Sequence, residues 1–306
     1  MIGSQRSSET WPVLHYDEWK DTLATLHMWT QVVGKIRLAQ EPLVNHWWQV
    51  PLYVSARGLT TSPMPYHARA FQIDFDFIDH ALRIAECDGG QTEFPLEPMP
   101  VARFYEEVMD RLHSLGIRVS ITTKPCEVPS PIPFELDYTH TPYDKDYAHR
   151  FWRVLLQADR LCKLFRSRFI GKVSPVHFFW GGPDLAVTRF SGRVAPPHPG
   201  GIPNLPDWIT REAYSHEVSS AGFWPGGFGM DAMFYSYAYP EPQGYAQANI
   251  EPNAAFYNAQ LKEFMLPYEA VRESEDPDAA VLSFLQSTYE AAADLGHWDR
   301  AALERH

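Results

Sequence analysis

The segment FQIDFDFI, residues 71–78, constrains the fold of this chain more than any other stretch. Its apolar residues at 71, 73, 75 and 77 alternate with polar ones, which is the period of a β-strand with one buried face. Asp74 and Asp76 share the opposite face, where we expect solvent rather than a catalytic pair of carboxylates. Turn-forming residues at 79–80 and 88–90 then predict further antiparallel strands to about residue 96.

Four longer stretches repeat apolar residues at the spacing of an amphipathic helix. These helices are predicted from Asp17 to about Leu38, after Pro100 to Gly116, from Asp144 to Ile170, and from Asp276 to Gly296. Segments rich in aromatic and β-branched residues predict the remaining strands, in IRVSITT, EAYSHEVSSAGFW, AMFYSYAY and EFMLPYEAV. We therefore expect an α+β fold with an antiparallel sheet and about four main helices.

Two parts of the chain repeat the same order of residue types. Gly34-Lys35 precedes HWWQVPLYVSARGLTTSP, and Gly171-Lys172 precedes HFFWGGPDLAVTRFSGRVAPP. This order is typical of an ancient duplication, although aromatic-rich strands also resemble each other by chance. A duplication predicts two pseudo-repeated halves packed around a central cleft, with His46 and His177 in equivalent places. It also favours a bulge rather than a turn at GGPD, because QVPL in the first copy has no turn signal.

The predicted boundaries follow from this division of the chain. Residues 1–10 are expected to form a flexible tail, and 11–123 an N-terminal α+β half. Five prolines in KPCEVPSPIPFELDYTHTPYD make 124–143 an extended linker or surface strap. Residues 144–306 are expected to form the C-terminal half, and the two halves are expected to make one compact unit.

Charge and composition exclude several partners. A net charge of −12 speaks against nucleic acid, because neutralising phosphates requires clustered Lys and Arg. No run approaches the roughly 20 apolar residues of a membrane helix, and the polar start MIGSQRSSET has no signal-peptide pattern. Three well-separated cysteines give no disulfide framework, so we expect a cytoplasmic protein. We expect its partner to be a small molecule. The oligomeric state does not follow from the sequence.

Several common chemistries have no motif in this chain. There is no G-x-S-x-G elbow, no phosphate-binding P-loop, no dinucleotide-binding G-x-G-x-x-G after a strand, and no C-x-x-C pair. The sequence therefore argues against a serine hydrolase, a nucleotide triphosphatase and a classical dehydrogenase.

Histidines in aromatic surroundings are the main candidates for chemistry. His46 and His177 open the two repeated stretches, and either could be an acid/base group or a buried histidine that only packs. His216 and Glu217 follow on a predicted strand, where neighbours point to opposite faces, so at most one of them enters a given pocket. His46, His177 and His216, with Glu217 or Asp184, would suit zinc or non-haem iron, but their spacing matches no metal motif. One form of the predicted site therefore binds a divalent metal ion, either iron or zinc.

Arginines and tryptophans complete the predicted pocket. Arg57 and Arg189 close the two repeated strands and are candidate anchors for a negative group, Arg189 being preferred. The pocket walls are expected to be Trp47, Trp48, Trp180 and Trp224. The basic helix at 150–168 could bind an anion, bind a protein partner, or face solvent.

The leading functional hypothesis is a small-molecule enzyme with an aromatic-lined pocket that contains His46 and His177. Its substrate is expected to be partly apolar and anionic, and a metal-dependent oxidoreductase or hydrolase is one form of the hypothesis. Catalytic roles would fall to His177, His46 and Glu217. The alternative is a non-catalytic protein that binds an aromatic or lipid-like molecule in the same cleft.

Long segments of the chain resemble an uncharacterised family. NHWWQVPLYVSARGLTTSP, SPVHFFWG, DLAVTRFSGR, APPHPGG and AYSHEVSSAGFWPG are similar to a mainly actinobacterial domain of unknown function, numbered five-nine-nine-six. The likeness covers nearly everything from Trp11 to Glu304. It implies a soluble bacterial protein of about this length, and it implies no activity, cofactor or catalytic residue.

Overall fold

Two antiparallel six-stranded sheets and a set of helices make up the α+β fold in a computed structural model that describes residues 10–305. The first sheet has the order β1-β2-β4-β5-β6, with β3 paired to β4. Its strands are β1 (Tyr53–Val54), β2 (Gly58–Thr60), β3 (Met64–Tyr66), β4 (Arg69–Asp76), β5 (Ala81–Glu86) and β6 (Gln91–Pro95). The strand and meander predicted from FQIDFDFI are confirmed. The tail predicted at 1–10 lies almost wholly outside the described residues.

The second sheet has the order β11-β12-β10-β9-β8-β7. Its strands are β7 (His177–Phe179), β8 (Asp184–Val194), β9 (His216–Trp224), β10 (Met233–Tyr239), β11 (Phe256–Asn258) and β12 (Glu263–Pro267). An isolated bridge links the sheets, since Leu52 and Phe178 exchange two backbone hydrogen bonds of 2.9 Å. This bridge brings the residues before β1 next to the β7–β8 hairpin.

Helices cover both sheets. They are α1 (Tyr16–Gln40), α2 (Val101–Ser114), α3 (Lys145–Ser167), α4 (Asp207–Ala213), α5 (Tyr268–Arg272), α6 (Pro277–Leu295) and α7 (Arg300–Leu303). The four long helices were predicted, and two begin at side-chain caps: Asp144 accepts from the Tyr147 amide and Asp276 from the Ala279 amide. The short helices α4, α5 and α7 complete too few turns to give a helical period in the sequence.

Two local predictions were wrong and two hold only in part. IRVSITT pairs with no strand, and the strand predicted in EAYSHEVSSAGFW begins only at His216 because α4 takes up Glu212 and Ala213. GGPD lies in a turn between β7 and β8, not in a bulge, because Phe179 pairs with Asp184 across it. HWWQVPLYV begins as a 3-10 turn at Asn45–Trp47 rather than as a strand.

Asp76 was expected on the solvated face of β4, but the residue is 1% exposed. The arginines of neighbouring segments, Arg57 and Arg83, cover its carboxylate. The polar positions of the strand pattern therefore showed which face of β4 lacks apolar packing. They did not show whether that face is exposed to solvent.

The core is rich in aromatic side chains and is shared by both sheets. Trp29 of α1 stacks on Phe104 of α2 at 4.7 Å between ring centroids, and Phe104 lies 6.2 Å from Phe75 of β4. Phe134, in the segment predicted to be a linker, is fully buried. Residues 124–143 thus pack as part of the fold.

The predicted duplication and its central cleft are not confirmed. His46 lies in a 3-10 turn with a left-handed backbone (φ 60°), whereas His177 lies on a regular strand. The two histidines therefore do not occupy equivalent positions, and the two sheets have different strand orders. Among the described residues, no helix is both long enough and apolar enough to cross a membrane.

Candidate functional site

Strand β8 separates the core of the second sheet from a cavity. Leu185, Val187 and Arg189 face the core, and the alternate residues face the cavity, as the period of a strand requires. This first cavity has a volume of about 270 Å³. Its walls include Trp47, Trp48, Trp180, Phe190, Leu205, Ile209 and Val218, and its polar lining includes Asp184, Thr188, Ser220 and Glu127.

A second, more open cavity of about 710 Å³ adjoins the first. Trp224, Met230 and Met265 supply part of its wall, and Glu263 lies on its surface. Five residues line both cavities: Glu127, Asp184, Tyr214, Tyr235 and Tyr237. We call these five the junction, and every one of them carries a carboxyl or a phenol group.

Asp184 and Tyr235 form the centre of the junction. The Tyr235 hydroxyl donates a hydrogen bond to Asp184 Oδ2. Gly222 leaves room for this hydroxyl, because an ideal Cβ there would be 2.9 Å from the Tyr235 hydroxyl oxygen and 1.7 Å from the Leu185 carbonyl oxygen. The pKa of Asp184 is raised to about 7, mainly by burial and also by the nearby carboxyls of Glu127 and Glu263, against the lowering effect of the Tyr235 hydrogen bond. Asp184 can therefore exist in both protonation states near neutral pH.

Glu127 approaches the junction from a strained backbone position. Its φ of 60° lies in the left-handed region, which is uncommon for a residue with a side chain. Its side chain is half-buried and lines both cavities, its carboxyl group has no hydrogen-bond or salt-bridge partner among residues 10–305, and burial raises its pKa. An ideal Cβ at Gly181 would be 2.0 Å from Glu127 Oε1, so only glycine leaves room for this carboxyl group.

Helix α1 fixes the two segments that meet at Glu127. The side-chain amide of Gln31 accepts from the Cys126 N–H and donates to the Cys126 carbonyl, both at 2.9 Å. One turn earlier, His27 Nε2 donates to the carbonyl of Gly181 at 2.8 Å. The strained position of Glu127 is therefore over-determined by tertiary contacts, which is how strain persists at functional sites.

A row of hydroxyl groups continues from the junction across the sheet. The Tyr214 and Tyr237 hydroxyls are 2.7 Å apart. Ser220 lies 2.9 Å from the Thr188 hydroxyl, its cross-strand partner on β8. Glu263 of β12 lies beyond this row, and burial raises its pKa to about 7. These hydroxyl pairs and the third carboxyl group thus add polar groups to the walls of the two cavities.

Of the predicted histidines, only His46 lines a cavity. Its Nδ1 donates to the Ala213 carbonyl at 3.0 Å, so Nε2 accepts from Lys172 Nζ at 2.5 Å. Burial and the Lys172 charge lower the pKa of His46. The His216 ring is 5.8 Å away, centroid to centroid, and its Nδ1 lies 3.1 Å from the Ser215 hydroxyl.

His177 packs inside the protein. It is 1% exposed and lies between Trp48, Tyr53 and Phe179, and burial lowers its pKa to about 3. Its Nε2 has no hydrogen-bond partner among residues 10–305. These properties are those of a neutral packing histidine and not of an acid/base group.

The predicted metal ligands are not brought together. Over the described range, the set of His, Cys, Asp and Glu side chains close enough to share an ion consists of Glu86, Cys87 and Asp88 in the β5–β6 turn. His46, His177 and His216 do not belong to it. The turn has a structural explanation, because the Glu86 carboxylate accepts from the Asp88 and Gly90 amides.

The predicted anion anchors and Glu217 lie elsewhere. Arg189 is buried on the core face of β8, where its guanidinium lies 3.5 Å from the Phe165 ring centroid and donates to the Phe165 carbonyl. Arg57 pairs with Asp76 at 2.5 Å, and Glu217 pairs with Arg193 at 2.6 Å. None of the three lines the cavities that share the junction. The predicted tryptophans do: Trp47, Trp48 and Trp180 line the first cavity, and Trp224 lines the second.

The basic helix α3 has local partners for most of its charges. Arg160 pairs with Asp278 at 2.7 Å, and Lys163 pairs with Asp159 at 2.6 Å. Arg150 lies over the Tyr147 ring, and Arg166 donates to the Ser174 carbonyl. These contacts favour a structural role for the helix.

Sequence reasoning missed most of the junction, although one signal was available. AMFYSYAY was predicted as a strand, and its period places Tyr235 and Tyr237 on one face. Asp184 was considered only as an additional metal ligand. Glu127 lies in a proline-rich segment without any period, and nothing local indicates that it reaches β8.

Comparison with known proteins gives a family and nothing on activity. The chain belongs to DUF5996, a family of unknown function, whose model matches residues 11–305. No curated protein and no solved structure matches it.

Proposed function

We propose that this member of a family of unknown function is an enzyme that performs acid–base chemistry on a small, partly apolar molecule. The reaction would take place at the junction, with Asp184 and Glu127 as the acid/base pair and the aromatic walls holding the apolar part. The proposal keeps the enzyme hypothesis drawn from the sequence and moves its chemistry from histidines to carboxyl groups. It also keeps the cytoplasmic location and the small-molecule partner.

One observation carries the proposal. Two carboxyl groups and three phenol groups converge where two cavities meet, and the residues that they face are largely aromatic. An apolar pocket with a few convergent polar groups is the usual form of a small-molecule site. Both carboxyl groups flank Gly182, because an ideal Cβ there would be 3.7 Å from Asp184 Oδ1 and 3.8 Å from Glu127 Oε2.

The environment of Asp184 suits proton transfer. A general acid or base works best when its pKa is near the pH at which it operates, and the pKa of Asp184 is raised to about 7. The Tyr235 hydroxyl occupies Oδ2, which leaves Oδ1 on the side of Gly182 for a substrate atom. Glu127 would act as the second group, since its carboxyl has no partner among the described residues.

The metal-dependent form of the hypothesis has less support. His46, His177 and His216 do not converge, and His46 already uses both ring nitrogens. The anionic substrate expected from Arg189 and Arg57 also has less support, because both arginines are engaged away from the cavities.

A ligand screen followed by product analysis tests the function. Compounds that raise the melting temperature would be incubated with the protein, and mass spectrometry would detect conversion. We expect Asp184→Asn to slow conversion by about 100-fold or more, since a positioned acid or base contributes about that much. Asp74→Asn, the same change on β4, is the matched control and should convert normally. Ligands that bind but are never converted would instead support the non-catalytic binding protein.

A further inference from the structure

The charge distribution of the cavities points to a specific class of ligand. We infer that the junction binds a protonated amine between the carboxyl groups of Glu127 and Asp184, with the apolar part of the amine against the surrounding aromatic rings. This inference rests on the proposed function, for which it names the substrate class. It reverses the sign of the substrate charge expected from the sequence.

Three carboxyl groups face the cavities without a cationic partner at the junction. Asp184, Glu127 and Glu263 are close enough that both glutamates raise the pKa of Asp184. Among the described residues that line either cavity, the basic ones are His46, His198 and Lys262, and none lines both. Burial lowers the pKa of His46 and of His198, which disfavours their charged forms. A bound cation would supply the missing positive charge.

Glu127 has the properties of a preformed anchor for that cation. Its carboxyl group lines both cavities, lacks a partner among residues 10–305, and lies against Gly181 on a residue with a left-handed backbone. Burying an unpaired acidic group costs free energy, and contacts from Gln31 and the Pro203 carbonyl hold this one in place. A ligand that supplies a positive charge and hydrogen-bond donors would explain why this carboxyl group has no partner within the protein.

The walls of the junction suit an amine better than a neutral or anionic group. Tyr235 and Tyr237 present nearly parallel rings with centroids 6.2 Å apart. The Trp180 ring is fixed because its Nε1 donates to the Val50 carbonyl at 2.8 Å. Ring faces attract ammonium groups and repel carboxylates, so the aromatic lining and the carboxyl groups favour the same charge.

Three compounds of nearly equal shape test the charge preference. Benzylamine, benzyl alcohol and benzoate would be titrated into the whole protein, with binding measured by calorimetry or by ligand-observed NMR. We expect benzylamine to bind at least about tenfold more tightly than benzyl alcohol, because a charge-assisted hydrogen bond replaces a neutral one. We expect benzoate to bind most weakly. Equal affinity for the amine and the alcohol, or tighter binding of benzoate, would overturn the inference.

Two variants at Glu127 and its glycine neighbour test the anchor. Gly181→Ala places a methyl group 2.0 Å from Glu127 Oε1 and must displace the carboxyl group. Amine binding should fall in Gly181→Ala to the level of Glu127→Gln and persist in Asp74→Asn, which removes a carboxyl group on β4 that lines neither cavity. Melting curves of all three variants would verify that they fold. Unchanged amine binding in folded Glu127→Gln would remove Glu127 as the anchor.

The inference and the proposed function can fail separately. If amines bind selectively but no amine is converted, the junction is an amine-binding site and the enzyme proposal falls. If a neutral or anionic compound is converted and the conversion depends on Asp184, the enzyme proposal stands and the amine inference falls.

Discussion

Asp76 is buried and Asp184 is half-buried, each at the end of a strand, and the two carboxyl groups have opposite environments. Asp76 is surrounded by Arg57 and Arg83 and accepts from the Ile78 and Asp79 amides at 2.9 Å. Burial alone would raise its pKa, yet these partners lower it. Asp184 receives one hydrogen bond from Tyr235 and lies near two further carboxyl groups, and its pKa is raised.

The difference separates a structural carboxylate from a functional candidate. Asp76 is held as an anion by partners that are always present, so its charge contributes to folding. The acids at the junction destabilise the folded state when they ionise, because the Tyr235 hydrogen bond to Asp184 offsets only part of that cost and no cationic side chain pairs with either acid in the described part of the chain. Burial is common to both regions, so the identity of the neighbours, and not burial, marks the candidate site.

The largest expected effect is the loss of stability when Asp76 is removed. Asp76→Ala should lower the free energy of unfolding by about 3 kcal/mol at pH 7, because two amides lose their acceptor and Arg57 and Arg83 each lose one of their carboxylate partners. Urea unfolding would measure it, with Asp74→Ala on the same strand as a control that changes stability by less than about 0.5 kcal/mol. A loss as small as the control's would mean that Asp76 is not a structural carboxylate.

Asp184→Asn should raise the free energy of unfolding, and the increase should depend strongly on pH. The folded pKa of about 7 exceeds the ordinary value of 3.8, so as pH rises from 4 to 7 the unfolded chain releases a proton that the folded chain retains. Stability is thereby lost, and above pH 7 the penalty is complete. We expect the asparagine variant to equal the parent near pH 4 and to be more stable by about 1–2 kcal/mol at pH 8. Unfolding curves at both pH values decide this, and lower stability at pH 8 would contradict it.

The sequence predicted the elements of both regions and not their environments. Strand β4 and helix α1 followed from strict periods, since each buries one face along many residues. The pairing of Asp76 with Arg57 depends on a bend and a strand pairing that bring residues 57 and 76 together, and no local pattern encodes that distance.

The candidate site was hidden for a related reason. Trp47, Trp48 and Trp180 were assigned to a pocket wall because large aromatic side chains are rarely exposed. This argument does not require knowing which residues they contact. Glu127 reaches β8 through Gln31, Gly181 and a left-handed backbone, which are contacts between distant parts of the chain. His177 and Arg189 were predicted at the site, but both are buried and line neither cavity, because the sequence does not show which face of its strand a buried polar residue occupies.

A double-variant cycle can show that the junction acids act as a unit. Each of the two acids, when ionised, raises the free-energy cost of ionising the other. At pH 8 the stabilisation by Asp184→Asn plus that by Glu127→Gln should therefore exceed the stabilisation measured for the double variant. The coupling should be about 0.5–1 kcal/mol, as for residues in one network. Asp76→Ala combined with Glu127→Gln is the control, and those effects should add because the residues lie in different regions. Additivity in both pairs would mean that the junction is not a coupled cluster.

The smallest effect concerns salt. The arginines around Asp76 are partly exposed, with side-chain exposures of 46% for Arg57 and 36% for Arg83, so ions can screen their attraction. Raising NaCl from 0.05 to about 1 M, where the Debye length falls to about 3 Å, should reduce the cost of Asp76→Ala by a few tenths of a kcal/mol. The gain from Asp184→Asn at pH 8 should change less, because desolvation is the main cause of its shift and salt does not restore hydration to a buried group. Equal salt sensitivity of the two variants, measured by urea unfolding, would show that charge repulsion and not burial sets the pKa of Asp184.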